Sequence, residues 1–115
     1  MSLSSTQRTI QFFTEKGPEE SLDYTIDYTE LLALVTPADT IITSDWTAEG
    51  EGTIDRADFT TEMTTIWLTG GGRIGDVTRL YNVTTTAGGR THRRLIKIKM
   101  VNRLAEPPET NEALI

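Results

Sequence analysis

Apolar and polar residues alternate along most of this chain, and the alternation predicts strands. The clearest case is SLDYTIDYT, in which Leu22, Tyr24, Ile26 and Tyr28 fall on one face and Asp23, Thr25 and Asp27 on the other. THRRLIKIKMVN alternates as cleanly, with Ile96, Ile98 and Met100 inward and Lys97 and Lys99 outward. TTIWLT sets Ile66 and Leu68 against Trp67, and DTIITSDWTAE places Ile42, Ser44 and Trp46 on one face. RTIQFF, residues 8–13, predicts a short first strand, and TIDRADF a weak one. VTRLYNVTTT predicts a long strand with room for a bulge. Leu80, Asn82 and Thr84 share one parity there and Tyr81 and Val83 the other, and the pattern alone favours neither.

Breaks in the alternation mark the connections. Gly17-Pro18 is a turn signal, AGGR predicts a tight hairpin, and the three glycines of GGGRIGD permit positive φ in a loop. TELLALVTPAD predicts a short crossover, with Thr29 capping a single helical turn through Leu32 and Pro37 ending it. Threonine is the commonest residue and, with Ile and Val, favours strands. Turn signals at intervals of roughly 8–12 residues predict an all-β, immunoglobulin-like β-sandwich of about seven strands. The sandwich would span residues 21–103, after an arm and first strand over residues 1–20 and before a tail over residues 104–115. Trp46 is placed to be its buried core aromatic. A small open barrel is the alternative.

A length of 115 residues suits one domain with a single core. No apolar run approaches the roughly 20 residues of a membrane helix. The opening MSLSSTQRTIQFF lacks the layout of a signal peptide, so the chain is expected to fold in a cytoplasm. Cysteine is absent, which removes disulfides, thiolate nucleophiles and Cys-based metal sites together. A formal net charge of −6 argues against broad nucleic-acid binding. The charge is uneven: residues 15–62 carry most of the acids, while Arg90, Arg93, Arg94, Lys97, Lys99 and Arg103 make the end of the domain basic.

The candidates for chemistry are few. His92 sits just after a turn between Thr91 and Arg93 with no orienting partner or nucleophile nearby, and reads as an exposed loop histidine. Asp23 with Asp27, and Glu49, Glu51, Asp55 and Asp58, lack EF-hand spacing and read as the wet faces of strands. GGGRIG lacks the Gly-Lys-Ser/Thr ending and following helix of a phosphate loop. No catalytic residue, cofactor or metal is expected. Trp67 stands out, because inward Ile66 and Leu68 leave its indole outside, and aromatics are enriched at interface centres.

LDYTIDYTELL, DTIITSDWT, TTIWLTGG and NVTTTAGGRTHRRLIKIKMVNR, in this order and spacing, resemble a family of small structural proteins of tailed bacteriophages. These are fibre–tail adaptor or minor virion proteins, similar to single immunoglobulin-like domains. The resemblance runs from about Ser21 to Arg103, with EGEGTIDRADF and GGGRIGD more acidic and glycine-rich than the family's usual pattern. It implies a non-enzymatic virion protein at the tail or neck, made in the host cytoplasm, linking tail or connector proteins to fibres in multiple copies. Neither nucleic acid nor membrane is an expected partner. Phe12, Phe13, Trp67, Arg93, Leu114 and Ile115 are the expected contact residues, within the arm Ser2–Phe13, the strands and the tail Leu104–Ile115. The alternatives are a carbohydrate- or cell-surface-binding module, using Trp67 and Tyr81 near Asn82, and a capsid decoration protein.

Overall fold

Tyr24, Ile26, Ile66, Leu68, Leu80, Ile96, Ile98 and Met100 all lose their solvent contact between two facing sheets. The computed structural model describes Ser2–Ser4 and residues 11–103, with side chains from Gln11 onward. The elements are β1 (Ser2–Ser4), β2 (Gln11–Lys16), β3 (Ser21–Asp27), α1 (Thr29–Leu32), β4 (Ile41–Glu49), β5 (Gly52–Phe59), β6 (Met63–Gly70), β7 (Val77–Thr86) and β8 (Thr91–Met100). They form one sheet in the order β1-β3-β6-β5 and a second in the order β2-β8-β7-β4. The described chain is therefore all-β and sandwich-like, two sheets and not one small barrel. Neighbouring strands are antiparallel except β1 with β3 and β2 with β8.

The inward residues of β3, β6 and β8 are those the alternation predicts, because each strand has one apolar face to bury. In β7 the buried set is Thr78, Leu80, Asn82, Thr84 and Thr86, and Tyr81 points outward. Its register with β8 runs unbroken from Val77↔Lys99 to Thr85↔Thr91. The bulge lies instead in β4, between Ile41 and Thr43. An extra residue there reverses the parity. Ile41 is buried and Ile42 is 54% exposed, so Ile42 does not share a face with Ser44 and Trp46 as the sequence pattern suggests. Trp46 is half-buried, not enclosed. It sits on the edge strand β4, packs against the core and donates from Nε1 to Thr64 Oγ1 at 2.9 Å.

The crossover also differs in detail from the sequence expectation. Tyr28, not Thr29, is the N-cap of α1, and its side chain makes no capping bond. The Asp27 carboxylate instead accepts from the Thr29 N–H at 2.9 Å. Leu32 is buried, its carbonyl accepts from Asp39 N at 2.9 Å, and the Thr36–Pro37 peptide is cis. His92 is not a loop residue: it lies in β8, half-buried, with its ring centroid 6.0 Å from that of Tyr28. Burial, then the Arg94 cation, hold its pKa below the ordinary value.

Three polar devices tie the sandwich together. Lys16 has no exposed surface, and its Nζ donates to the carbonyls of Gly17 and Gly70, which joins β2 to the end of β6; burial lowers its pKa. Gly71 follows with φ of 145°, and a Cβ there would overlap Met100 Sδ. The glycine run thus serves close packing under the loop. Asn82 joins the sheets from the inside: its Oδ1 accepts from Tyr28 Oη and Thr84 Oγ1, and its Nδ2 donates to Ser44 Oγ. On the outer side of the first sheet, the edge strand β5 carries a bulge between Ile54 and Arg56 and the charges of Asp55, Arg56 and Asp58. Both features discourage pairing with another chain.

Asp39 is the third device. Its carboxylate accepts from Thr86 Oγ1 at 2.6 Å, Gly88 N at 2.9 Å, Thr40 N at 3.0 Å and Arg90 Nη1 at 3.0 Å. It thereby binds the crossover to the β7–β8 hairpin. The Thr86 hydroxyl bond leads the effects that bring its pKa down to about 2 from 3.8. A depressed carboxylate pKa means the unfolded chain binds the proton more tightly. This contribution is complete above about pH 4 and is lost as pH falls toward about 2. Thermal melts from pH 5 to pH 2 should show the native chain and Asp39→Asn converging near the acid end. Parallel curves would show that the carboxylate's charge is not what holds the hairpin.

Candidate interaction surface

The outer face of the second sheet is built in rows fixed by strand register. One row runs Asp45–Val83–Arg93, the next Thr47–Tyr81–Leu95–Gln11, and the third Glu49–Arg79–Lys97–Phe13. Tyr81, Val83 and Leu95 form an apolar floor where water would lie over a flat strand pair. Arg79, Arg93 and Lys97 rise around it, and Arg94 reaches its margin. Together they enclose an open groove of about 730 Å³. Phe13 is 72% exposed at one end, with Lys97 Nζ 5.4 Å from its ring centroid. Glu49 closes the other side, 3.9 Å from Arg79 Nη1 and accepting from Tyr81 Oη at 3.4 Å. The electrostatics are those of a cationic rim around an aromatic floor, which suits an apolar segment carrying carboxylates.

The first sheet's outer face is of another kind. Ser21 with Thr69 and Thr25 with Thr65 pair their hydroxyls at 3.0 and 2.8 Å, and Asp55 accepts from Thr69 Oγ1. Trp67 lies in this face between Asp23 and Arg56. The Arg56 guanidinium stacks on its ring, 3.9 Å from the centroid, so the indole is half-buried under a cation.

The predicted contact residues therefore fall in different places. Arg93 lines the groove and Phe13 the neighbouring hollow at its end, whereas Phe12 faces inward and packs against the core. Trp67 is on the other sheet, and Leu114 and Ile115 lie outside the described residues. The proposed sugar-binding trio is not assembled: Tyr81 and Trp67 sit on opposite sheets, and Asn82 spends its amide inside the core. Sequence reasoning missed Tyr81, Val83, Leu95 and Arg79 as one surface. A signal for it existed, because the AGGR hairpin sets the register and the clear parity of β8 then dictates that of β7.

Among the described residues, no group of three or more His, Asp or Glu could hold a metal ion. No helix among them is long and apolar enough to cross a membrane. A search of curated proteins finds no match to the chain. A family model described as Podophage GP4 fiber-tail adaptor protein gp77 matches residues 16–99. That span takes in β3 to β7 and nearly all of β8, with the floor of the groove. The chain belongs to this family of bacteriophage fiber-tail adaptor proteins.

Proposed function

We propose that this protein is a non-enzymatic structural component of a phage virion, an adaptor at the tail or neck that links tail or connector proteins to fibres. The observation that carries the reading is the groove on the outer face of β2-β8-β7-β4, within a family of fiber-tail adaptors. An exposed aromatic among arginines is the composition of an interface centre, where Tyr and Arg are enriched. The non-enzymatic reading is supported by the family, whose description is that of an adaptor. An immunoglobulin-like fold is supported by strand order. β3, β6 and β5 take the positions of strands B, E and D, and β4, β7 and β8 those of C, F and G.

The adaptor works in several copies per particle, so modest contacts per copy add up through multivalency. Synthesis in the host cytoplasm fits a domain that depends on no disulfide. Cryo-electron microscopy of intact particles tests the reading. Density for this sandwich where tail and fibres meet, with the outer face of the second sheet against a neighbour, is the expected result. Density on the capsid surface would make it a decoration protein, and absence from particles would end the virion reading.

A further inference from the structure

The two sheets end in four edge strands, and three of these are poor templates for further pairing. β1 is only three residues long. β5 is broken by its bulge between Ile54 and Arg56. On β2, successive carbonyls point alternately toward β8 and away from it. That of Lys16 accepts from Val101 N at 2.9 Å on the β8 side, so that of Glu15 faces the open side. The Arg103 guanidinium donates to this Glu15 carbonyl at 2.7 Å and covers it. β4 has no such protection. It is the longest edge strand, nine residues, and Thr43–Glu49 keep regular register with β7. That stretch holds no proline, lysine or arginine, and among the described residues no strand pairs with its outer side.

We propose that β4 pairs antiparallel with β4 of a second copy of this chain, across a two-fold axis at Trp46. The strand's own charges select both occupant and register. Residues opposite one another point to the same face, so the two outer faces align only when the axis passes through a residue. An axis at Asp45 sets it against the partner's Asp45, and one at Thr47 sets Asp45 against the partner's Glu49. Axes nearer either end pair only a few residues. An axis at Trp46 avoids both clashes and pairs all of Thr43–Glu49. Asp45 then faces the partner's Thr47 and Glu49 the partner's Thr43, so each carboxylate meets a hydroxyl that can donate to it. All four residues are exposed in the single chain. On the inner face the half-buried Trp46 meets the partner's Trp46, an aromatic cross-strand pair. The two second sheets become one eight-stranded sheet that carries the groove twice on one side. The two β7 strands lie three strand spacings apart, about 14 Å. Such a dimer grips a neighbour at two points, which strengthens a weak contact. The pairing itself does not depend on the adaptor reading, since both strands belong to this chain.

An edge contact is smaller than the roughly 1,600 Å² of a standard interface, so the expected dimer is weak. Sedimentation equilibrium of the full chain from about 10 μM to about 1 mM should show monomer and dimer with no larger species, because each copy has one such edge. Two charge variants read the register. Thr43→Asp with Thr47→Asp sets acid opposite acid and should raise the dissociation constant roughly tenfold or more. Thr43→Lys with Thr47→Lys sets lysine opposite the same acids and should lower it by a similar factor. Both pairs change exposed positions, so each should melt within about 3 °C of the native chain. Ser21→Lys with Thr53→Lys, exposed on the other sheet, adds the same charge and should leave the constant unaltered. A native chain that stays monomeric at about 1 mM would overturn the inference. So would Asp and Lys variants that shift the same way, or an equal shift from the Ser21 and Thr53 pair. Loss of the dimer on Phe13→Ala would place the contact on β2 and overturn it as well.

Discussion

Asn82→Ala is expected to be the most damaging single substitution in the described domain, more than truncating the half-buried Trp46. Asn82 has no exposed surface and serves four partners. Its Oδ1 accepts from Tyr28 Oη at 3.0 Å and Thr84 Oγ1 at 2.7 Å, and its Nδ2 donates to Ser44 Oγ at 2.9 Å and the Asp45 carbonyl at 3.3 Å. Alanine strands the two hydroxyl donors in the interior, and each unsatisfied buried group costs about 1–3 kcal/mol. The lost side-chain volume adds a cavity term between the sheets. Together these give roughly 3–5 kcal/mol, and each kcal/mol lowers the melting temperature of a domain this size by about 4–8 °C. Calorimetry should therefore record a fall of roughly 15 °C or more.

The mechanism has its own control. If stranded hydroxyls dominate, removing them as well should recover stability, since deleting both partners is far milder than deleting one. Asn82→Ala combined with Tyr28→Phe and Thr84→Val should melt above Asn82→Ala alone. A loss of less than about 3 °C for Asn82→Ala would show that this network carries little of the fold's stability.

Tyr81→Ala with Arg93→Glu is the counterpart on the surface, with the larger effect expected on assembly. Both residues are exposed on the groove, so the melting temperature should stay within about 3 °C, as for ordinary surface changes. Removal of a central aromatic anchor costs about 2 kcal/mol or more at an interface, and a reversed charge adds repulsion. At roughly tenfold per 1.4 kcal/mol, incorporation into particles should fall by about thirtyfold or more. The measurement is the amount of this protein per purified particle when the variant is supplied in place of the native chain. Trp67→Ala serves as the comparison, because it alters the opposite face. Equal incorporation of the groove variant and the native chain, with a loss only for Trp67→Ala, would move the contact surface to the first sheet.

Most of the strands were legible in the sequence because their inward and outward residues differ in chemistry. In β3, β6 and β8 the period-two pattern names the buried Tyr24, Ile26, Ile66, Leu68, Ile96, Ile98 and Met100, since Asp, Thr or Lys residues mostly alternate with them, and it passes over only the buried Thr64. Strand β7 was different: its buried face is mostly Thr and Asn, and its exposed face carries Tyr and Val. There hydrophobicity decides nothing, because Leu80 lies on one face and Tyr81 and Val83 on the other, and the core at that level is largely polar and hydrogen-bonded. Ile42 misled for a local reason, as one bulge residue turned it out of the parity of its strand. The role of Asp39 was equally hidden, because its partners Thr86, Gly88 and Arg90 come from the β7–β8 hairpin about fifty residues away.

The sequence by itself determined the all-β class, the connections, most of the core and the lack of cysteine chemistry, because alternation, turn residues and composition are local properties. Only the tertiary structure decided which residues work together. Phe13, Tyr81, Leu95 and Arg93 come from three strands, and pairing register makes them one surface. Trp67 obeys its local pattern yet is drawn under Arg56 by a neighbouring strand. Register and sheet order are long-range choices made by burial of the whole core, and so the surface they create is not written in any single segment.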